Sequence, residues 1–188
     1  DNGFNAKYYN YDDKKIYLFS GGAAGKDNNR MYIIQVSSTK DSEYNIAHPN
    51  KDESGYTNDE VVSPAFMIAS QLGAVYSSKF DQASAKEHCE TYREVKKENG
   101  IQVKYDGWRL PTKTEIQFIV DFQKESFKRN DKTTIQPIQP VLTGEKYYTL
   151  NKESVATGYT GWGSSGTYVR CVRDLTPTEV EELDKQMK

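Results

Sequence analysis

The stretch from Gly107 to Glu115 places a tryptophan, a restricted turn and a helix start next to one another. Thr112 and Glu115 stand three residues apart, as in a capping box. In that motif the hydroxyl accepts the amide of the fourth residue, and the carboxylate accepts the amide of the first. Pro111 restricts the residue before it to an extended conformation, so the chain should turn abruptly into a helix. We expect a helix to begin after Thr112.

Two residues of this turn allow a functional interpretation as well as a structural one. Tryptophan faces bind sugars, and arginine forks bind carboxylates. A tight turn before a capped helix favours the structural alternative, in which Trp108 fills the core and Arg109 braces backbone or a carboxylate. We therefore assign a structural role to the whole motif: Trp108, Arg109, Pro111, Thr112 and Glu115.

Two cysteines, Cys89 and Cys171, lie 82 positions apart. This separation excludes a C-x-x-C redox or zinc motif. The residues alone leave two alternatives, a disulfide between them or two buried thiols. Pairing would imply an oxidising, extracytoplasmic location.

Composition narrows the function classes. The chain has 188 residues, the size of one full domain, and a net charge of -2 with acids and bases interspersed. Such a surface has no strong field to attract nucleic acid, and no apolar run reaches the ~20 residues that span a bilayer. Its 14 Tyr, against 7 Phe, suit either an adhesive surface or a Tyr-rich β protein. The chain begins at Asp1 without an apolar leader, which favours a trimmed or mature exported product.

The first sixty residues are predicted to be β structure and loops. Runs at 15–20 and 30–38 are apolar and β-branched, and a turn-rich segment between them indicates a hairpin with a long loop. We treat 1–60 as an N-terminal β/loop extension, 61–175 as the domain and 176–188 as a terminal helix or tail.

Two helices are predicted inside the domain. Asp81 is a suitable N-cap for a helix to about Glu98, with Gly100 placed to end it and with Ala85 and Cys89 facing inward. The helix after Thr112 carries a wide apolar arc, as expected of a core-packing helix.

The last third is predicted to contain a long loop and three short strands. The loop covers 126–146 and lacks periodicity. Segments 147–150, 154–157 and 167–173 are predicted to be antiparallel strands joined by turns. Val169 and Cys171 share one face of the final strand, whereas Arg170 lies on the other.

The search for a functional site yields binding candidates and no catalytic set. The two histidines, His48 and His88, have no partners at metal-ligand spacing. A tryptophan between glycines in the loop at 158–166 has few neighbours to bury it, which favours exposure for binding. The candidate ligand-binding residues are Tyr147, Asn151, Glu153, Tyr159 and Trp162. We predict no cofactor and no metal site.

The helix with Cys89, the Gly-Trp-Arg-Leu-Pro-Thr-x-x-Glu turn, the long loop and the closing Tyr-Val-Arg-Cys-Val-Arg at 168–173 resemble the C-type-lectin-like fold over 61–174. The resemblance is to its bacterial branch, found in surface lipoproteins and in fimbrial tip or subunit proteins. It implies an α+β architecture in which two helices flank small antiparallel sheets with a long loop, here with an N-terminal β-hairpin extension. It also implies a bridge between Cys89 and Cys171.

Formylglycine-generating enzymes contain a similar Trp-Arg-Leu-Pro-Thr turn, so an enzyme is one alternative. Their chemistry requires two closely placed reactive cysteines that bind copper, whereas Cys171 occupies the structural strand position. Calcium-dependent sugar binding in animal lectins uses Glu-Pro-Asn or Gln-Pro-Asp. Here the corresponding tripeptides at 136–138 and 139–141 end in Ile and Val, which offer no side-chain oxygen.

The sequence therefore predicts a non-catalytic, exported bacterial cell-surface module for adhesion or for binding a glycan or protein, with a fimbria as one setting. The expected partners are such a ligand and other fimbrial subunits, with no nucleic acid and no transmembrane segment. The expected location is extracytoplasmic, at the cell surface or the outer membrane. The alternatives are a divergent formylglycine-generating-enzyme-like oxidase and a purely structural pilus subunit.

Overall fold

The computed structural model describes residues 6–11, 14–20, 30–36, 44–49, 51–52, 55–56, 60–70, 74–76, 81–98, 100–128, 142, 146–151, 154–157 and 167–186. The described helices are α1 (Gln82–Thr91), α2 (Lys113–Lys128) and α3 (Pro177–Gln186). The described strands are β1 (Ala6–Tyr11), β2 (Lys14–Ser20), β3 (Arg30–Val36), β4 (Lys51–Asp52), β5 (Gly55–Tyr56), β6 (Ala65–Ile68), β7 (Val75–Tyr76), β8 (Glu94–Glu98), β9 (Ile101–Tyr105), β10 (Lys146–Tyr148), β11 (Ser154–Ala156), β12 (Tyr168–Val169) and β13 (Val172–Asp174). Mixed helices and small sheets confirm the α+β class.

The larger sheet has five strands in the order β1-β2-β3-β6-β13, and each neighbouring pair is antiparallel. The predicted N-terminal hairpin is confirmed, since β2 and β3 pair from Lys14 with Val36 to Ser20 with Arg30. Strand β1 extends it at one edge. Because β3 pairs with β6, the sheet continues across the predicted boundary at residue 60. The division into domains stays a prediction.

The smaller sheet has four strands in the order β11-β10-β12-β7. Strands β10 and β11 are antiparallel as predicted, but β10 and β12 are parallel and pair Tyr147 with Tyr168. The predicted final strand at 167–173 is two strands that belong to different sheets. The break falls at Arg170 and Cys171, where the chain passes from β12 to β13.

Helix α1 begins as predicted and ends earlier. The Asp81 carboxylate accepts a hydrogen bond from the Ser84 amide at 2.7 Å, which confirms the N-cap and lowers the pKa of Asp81. The helix stops at Thr91, and the predicted continuation to Glu98 is wrong because residues 94–98 form β8.

Strand β8 turns back into β9 through a two-residue hairpin. Glu98 pairs with Ile101, and Gly100 has φ of 80°. Asn-Gly is the strongest short hairpin signal, because both positions of a type I′ turn need positive φ. The sequence interpretation placed Gly100 at a helix end, where glycine also adopts the left-handed conformation. Here the same conformation closes a hairpin turn.

Two hydrophobic cores lie on opposite faces of the larger sheet. Alternate side chains of β3 divide between them, with Ile34 in one core and Ile33 in the other. The first core packs under α2, whose residues Ile116, Phe118, Ile119 and Val120 are buried. The second core packs under α1, and Trp108 lies in it at 2% exposure. The structure thus confirms Trp108 as a core residue and α2 as a core-packing helix.

Candidate functional site

The capping box at the start of α2 forms as predicted. The Glu115 amide donates to Thr112 Oγ1 at 2.9 Å, and the Thr112 amide donates to Glu115 Oε1 at 2.9 Å. The Thr112 hydroxyl also donates to the Val61 carbonyl, which ties the helix start to the chain before β6. Glu115 and Thr112 are fully buried, so water cannot replace the hydrogen bonds of this cap as it can in an exposed one.

Arg109 compensates the buried charge of Glu115. Its guanidinium forms a two-pronged pair with Glu115 at 2.7 and 2.9 Å and a second pair with Asp174 at 2.8 and 3.1 Å. Glu115 also accepts the Ser63 amide at 2.9 Å. Burial alone lowers the pKa of Arg109, but Glu115 and Asp174 outweigh burial and raise it. The predicted brace is confirmed, and it joins α2, β13 and the entry to β6.

Backbone hydrogen bonds fix the same junction. Arg109 and Val172 exchange two of them, at 2.7 and 2.9 Å, so the turn continues the edge of the larger sheet beyond β13. The Leu150 amide donates to the Pro111 carbonyl at 3.1 Å, which attaches the end of β10 to the turn. The turn therefore connects both sheets.

A second copy of this arrangement starts α3. The spacing Arg-x-x-Thr-x-x-Glu recurs with Arg173, Thr176 and Glu179. Arg173 pairs with Glu179 at 2.9 Å, the Glu179 amide donates to Thr176 Oγ1 at 3.1 Å, and the Thr176 amide donates back at 3.2 Å. Here the carboxylate is one-third exposed, whereas Glu115 is buried. In both places an arginine three residues before the threonine pairs with the capping glutamate. The repeated spacing was therefore a sequence signal for this ion pair, which the capping motif alone does not predict.

The cysteine pair forms a disulfide between α1 and the turn from β12 to β13. The Cα atoms of Cys89 and Cys171 are 5.5 Å apart, and both residues are fully buried. This confirms the pairing that the fold resemblance implies. It also uses both cysteines of the chain, so the bridged protein has no thiol pair for the copper chemistry of the enzyme alternative.

A buried polar cluster that the sequence interpretation missed lies near the bridge. Glu94 Oε1 accepts the Ser70 amide at 3.1 Å, the Ser70 hydroxyl at 2.8 Å and the Tyr92 hydroxyl. Arg170 Nε donates to the Ala69 carbonyl at 2.6 Å. Burial lowers the pKa of Arg170, and it raises that of Tyr92 together with the Glu94 contact. Strand alternation placed Arg170 on the face opposite Val169 and Cys171, so the local sequence pattern held no signal of its burial.

The structure describes two of the candidate ligand-binding residues. Tyr147 is 2% exposed and its ring centre lies 5.6 Å from that of Tyr168, so it supports the smaller sheet from inside. Asn151 is partly exposed, and follows a segment that Gln82 holds by donating to the Leu150 carbonyl at 2.8 Å. Glu153, Tyr159 and Trp162 lie outside the described residues. Ligand binding by this set stays a prediction.

Asp174 gives the site a pH dependence. Burial raises the pKa of Asp174, but the hydrogen bonds and charge of Arg109 outweigh it and lower the pKa below its ordinary value of 3.8. A lowered folded-state pKa contributes stability that is present above the unfolded pKa and is lost as pH falls through the folded pKa.

We expect the Asp174→Asn variant to be less stable at pH 7 by about 1–3 kcal/mol, because a charged hydrogen-bond partner is lost. Below about pH 4 it should lose less further stability than the unmodified chain. Urea unfolding from pH 7 to pH 2 measures both. The control is Asp106→Asn, whose carboxylate is 60% exposed and lies 4.0 Å from Arg93. Parallel stability curves for Asp174→Asn and the unmodified chain would contradict the assignment.

Comparison with known proteins finds similarity to a fimbrial protein. The chain is 27% identical over 211 aligned positions to the major fimbrium tip subunit FimD of Porphyromonas gingivalis strain ATCC 33277, and to the same degree to a second FimD from Porphyromonas gingivalis. The alignment covers 95% of this chain and 30% of the relative, so the chain spans about a third of the relatives' length. No family model matches the chain, and no solved structure matches it. In the described part of the chain, no helix has the length and apolar character to cross a membrane.

Proposed function

We propose that this chain is a non-catalytic module of an exported, fimbria-associated surface protein that serves adhesion or assembly. The similarity to a fimbrium tip subunit over nearly the whole chain carries the proposal. The buried Cys89–Cys171 bridge supports it, because disulfides persist in oxidising compartments outside the cytoplasm. The location that we propose is the bacterial cell surface.

The finer part of the proposal is a C-type-lectin-like fold. Three contacts support it: the bridge from α1 to the turn before β13, the Trp108 turn that leads into α2, and the pairing of Arg109 with Val172. The bridge ties the first helix to the chain just before β13, which is the connection that the sequence resemblance implies. A rigid framework of this kind can present loops for recognition.

We place the recognition surface at the end of β10 and the loop at 158–166. The segment that leads to Asn151 is held by hydrogen bonds to two other parts of the chain, because Leu150 bonds both Gln82 of α1 and Pro111 before α2. The proposed ligand contacts are Asn151, Glu153, Tyr159 and Trp162, and the proposed ligand is a glycan or a protein. Tyr147 is 2% exposed, so its proposed part is to support β10 from inside the smaller sheet.

A glycan array and a pull-down with extracellular matrix proteins test the recognition role. We expect the unmodified chain to bind at least one ligand, and Trp162→Ala to weaken that binding about tenfold or more, as aromatic anchors do. Lys113→Ala is the control, because Lys113 is exposed at the start of α2. Blank results in both screens would contradict recognition. They would leave a purely structural subunit as the remaining fimbrial role.

One observation favours that structural role, namely that β1 forms an edge of the larger sheet. Deletion of residues 1–60 is a poor test of it, because this also removes β3, whose Met31, Ile33 and Ile34 are buried core residues. The pair next to the turn, Tyr11 and Lys14, is hydrogen-bonded and the pairs alternate, so the Tyr8 amide points away from β2 to the open edge. A proline at Tyr8 would remove that donor and oppose pairing at the edge. Unchanged incorporation of Tyr8→Pro into fimbriae would exclude assembly through β1.

A further inference from the structure

The β8–β9 hairpin exposes apolar side chains that the core does not use. Within the described residues, the large hydrophobic side chains with the greatest exposure are Val95 at 50% and Ile101 at 68%, and both belong to this hairpin. Its base is anchored by the buried residues Glu94 and Tyr105, whereas Ile101 lies at its tip. The hairpin forms a two-stranded sheet of its own. Such a ribbon gains stability from a further strand.

The outer edge of β9 presents backbone groups for such a strand. The pair next to a two-residue turn, Glu98 and Ile101, exchanges both of its hydrogen bonds, and the pairs then alternate. The amide and carbonyl groups of Gln102 and Lys104 therefore point away from β8. Within the described part of the chain, neither residue bonds to any other segment.

Charge distinguishes the two edges of the ribbon. Strand β8 carries four charged residues in five, Glu-Val-Lys-Lys-Glu, whereas β9 carries one, Lys104. Charged side chains on an edge strand oppose pairing with another chain. The β9 edge is accordingly the less protected one, and its Gln102 and Lys104 are exposed.

We propose that the β9 edge pairs antiparallel with the β9 edge of a second copy of this chain, centred on Val103. In this register Gln102 of each copy faces Lys104 of the other, so no like charges stand directly opposite each other. The outward-pointing amide and carbonyl groups of Gln102 and Lys104 in both copies are then all hydrogen-bonded. Ile101, which is 68% exposed in a single copy, then stands opposite the strand position of the buried Tyr105 of the other copy and loses part of its exposure to water. The contact is two-fold symmetric, and its small area makes it weak. The inference goes beyond the proposed function and does not depend on it.

Cysteine cross-linking tests the register. Opposite residues in a hydrogen-bonded pair have Cα atoms about 5.5 Å apart, within disulfide range, whereas diagonal neighbours lie about 7–8 Å apart. We expect a mixture of Gln102→Cys and Lys104→Cys to form an intermolecular disulfide at least about tenfold faster than either variant alone. Both natural cysteines are in the bridge, so the link must involve the new thiols. Equal rates in the three samples, or no link at about 1 mM protein, would overturn the proposal.

Sedimentation of matched variants tests the edge. We expect the average mass of the unmodified chain and of Val95→Lys to rise from about 10 µM to about 1 mM, and that of Ile101→Lys to stay monomeric. Both side chains are half exposed or more, so both variants should fold. Loss of association in both variants would indicate unspecific apolar contact, and loss in Val95→Lys alone would place the contact on β8. Either result overturns the proposal.

Discussion

Replacing Glu115 with alanine is expected to lower the free energy of unfolding by about 3–5 kcal/mol, because it leaves the buried Arg109 guanidinium without its main partner. Arg109 is 3% exposed and Glu115 is fully buried, so water cannot replace the lost carboxylate. The substitution also removes acceptors for the Ser63 and Thr112 amides. Urea unfolding followed by circular dichroism measures the change.

The matched control is Glu179→Ala, in the second Arg-x-x-Thr-x-x-Glu arrangement. It removes the same cap and the same type of ion pair, but its carboxylate is one-third exposed. We expect a loss of about 0.5–1 kcal/mol, as for exposed caps and surface pairs. Equal losses for Glu115→Ala and Glu179→Ala would contradict the claim that burial of the Arg109–Glu115 pair makes its loss more costly.

Removing the bridge is the second change with a large expected effect. Replacing Cys89 and Cys171 together with alanine should lower the free energy of unfolding by about 2–5 kcal/mol, since the bridge restricts a long loop of the unfolded chain. It also attaches α1 to the turn between the two sheets. Unfolding with and without reductant measures the effect.

The control for the bridge is the response to reductant. The unmodified chain should lose stability on reduction, whereas the double alanine variant should not respond. An unmodified chain with the same stability before and after complete reduction would show that the bridge does not stabilise the fold.

Local signals at the Trp108 turn predicted the structure well. The capping box depends on residues three positions apart, and the burial of Trp108 follows from the turn that precedes the helix. The disulfide required the fold resemblance, because spacing alone left a bridge and two thiols as alternatives. The structure confirms all three features.

Features that depend on distant contacts were predicted less well. Lys96 follows Tyr92 at helical spacing, which extended the predicted α1 to about Glu98, yet the Asn-Gly turn and pairing with β9 make residues 94–98 a strand. The parallel pairing of Tyr147 with Tyr168 depends on how the two sheets meet, which no local pattern records. Glu94 and Arg170 have the residue types of a surface, and their burial depends on partners elsewhere in the chain.

The most direct test of the proposed role is non-reducing mass spectrometry of appendages sheared from the producing cells. The account predicts that the chain is recovered in this surface fraction and that the peptides containing Cys89 and Cys171 are linked. Recovery of the chain in the cytoplasmic fraction alone, with both cysteines as free thiols, would contradict the account.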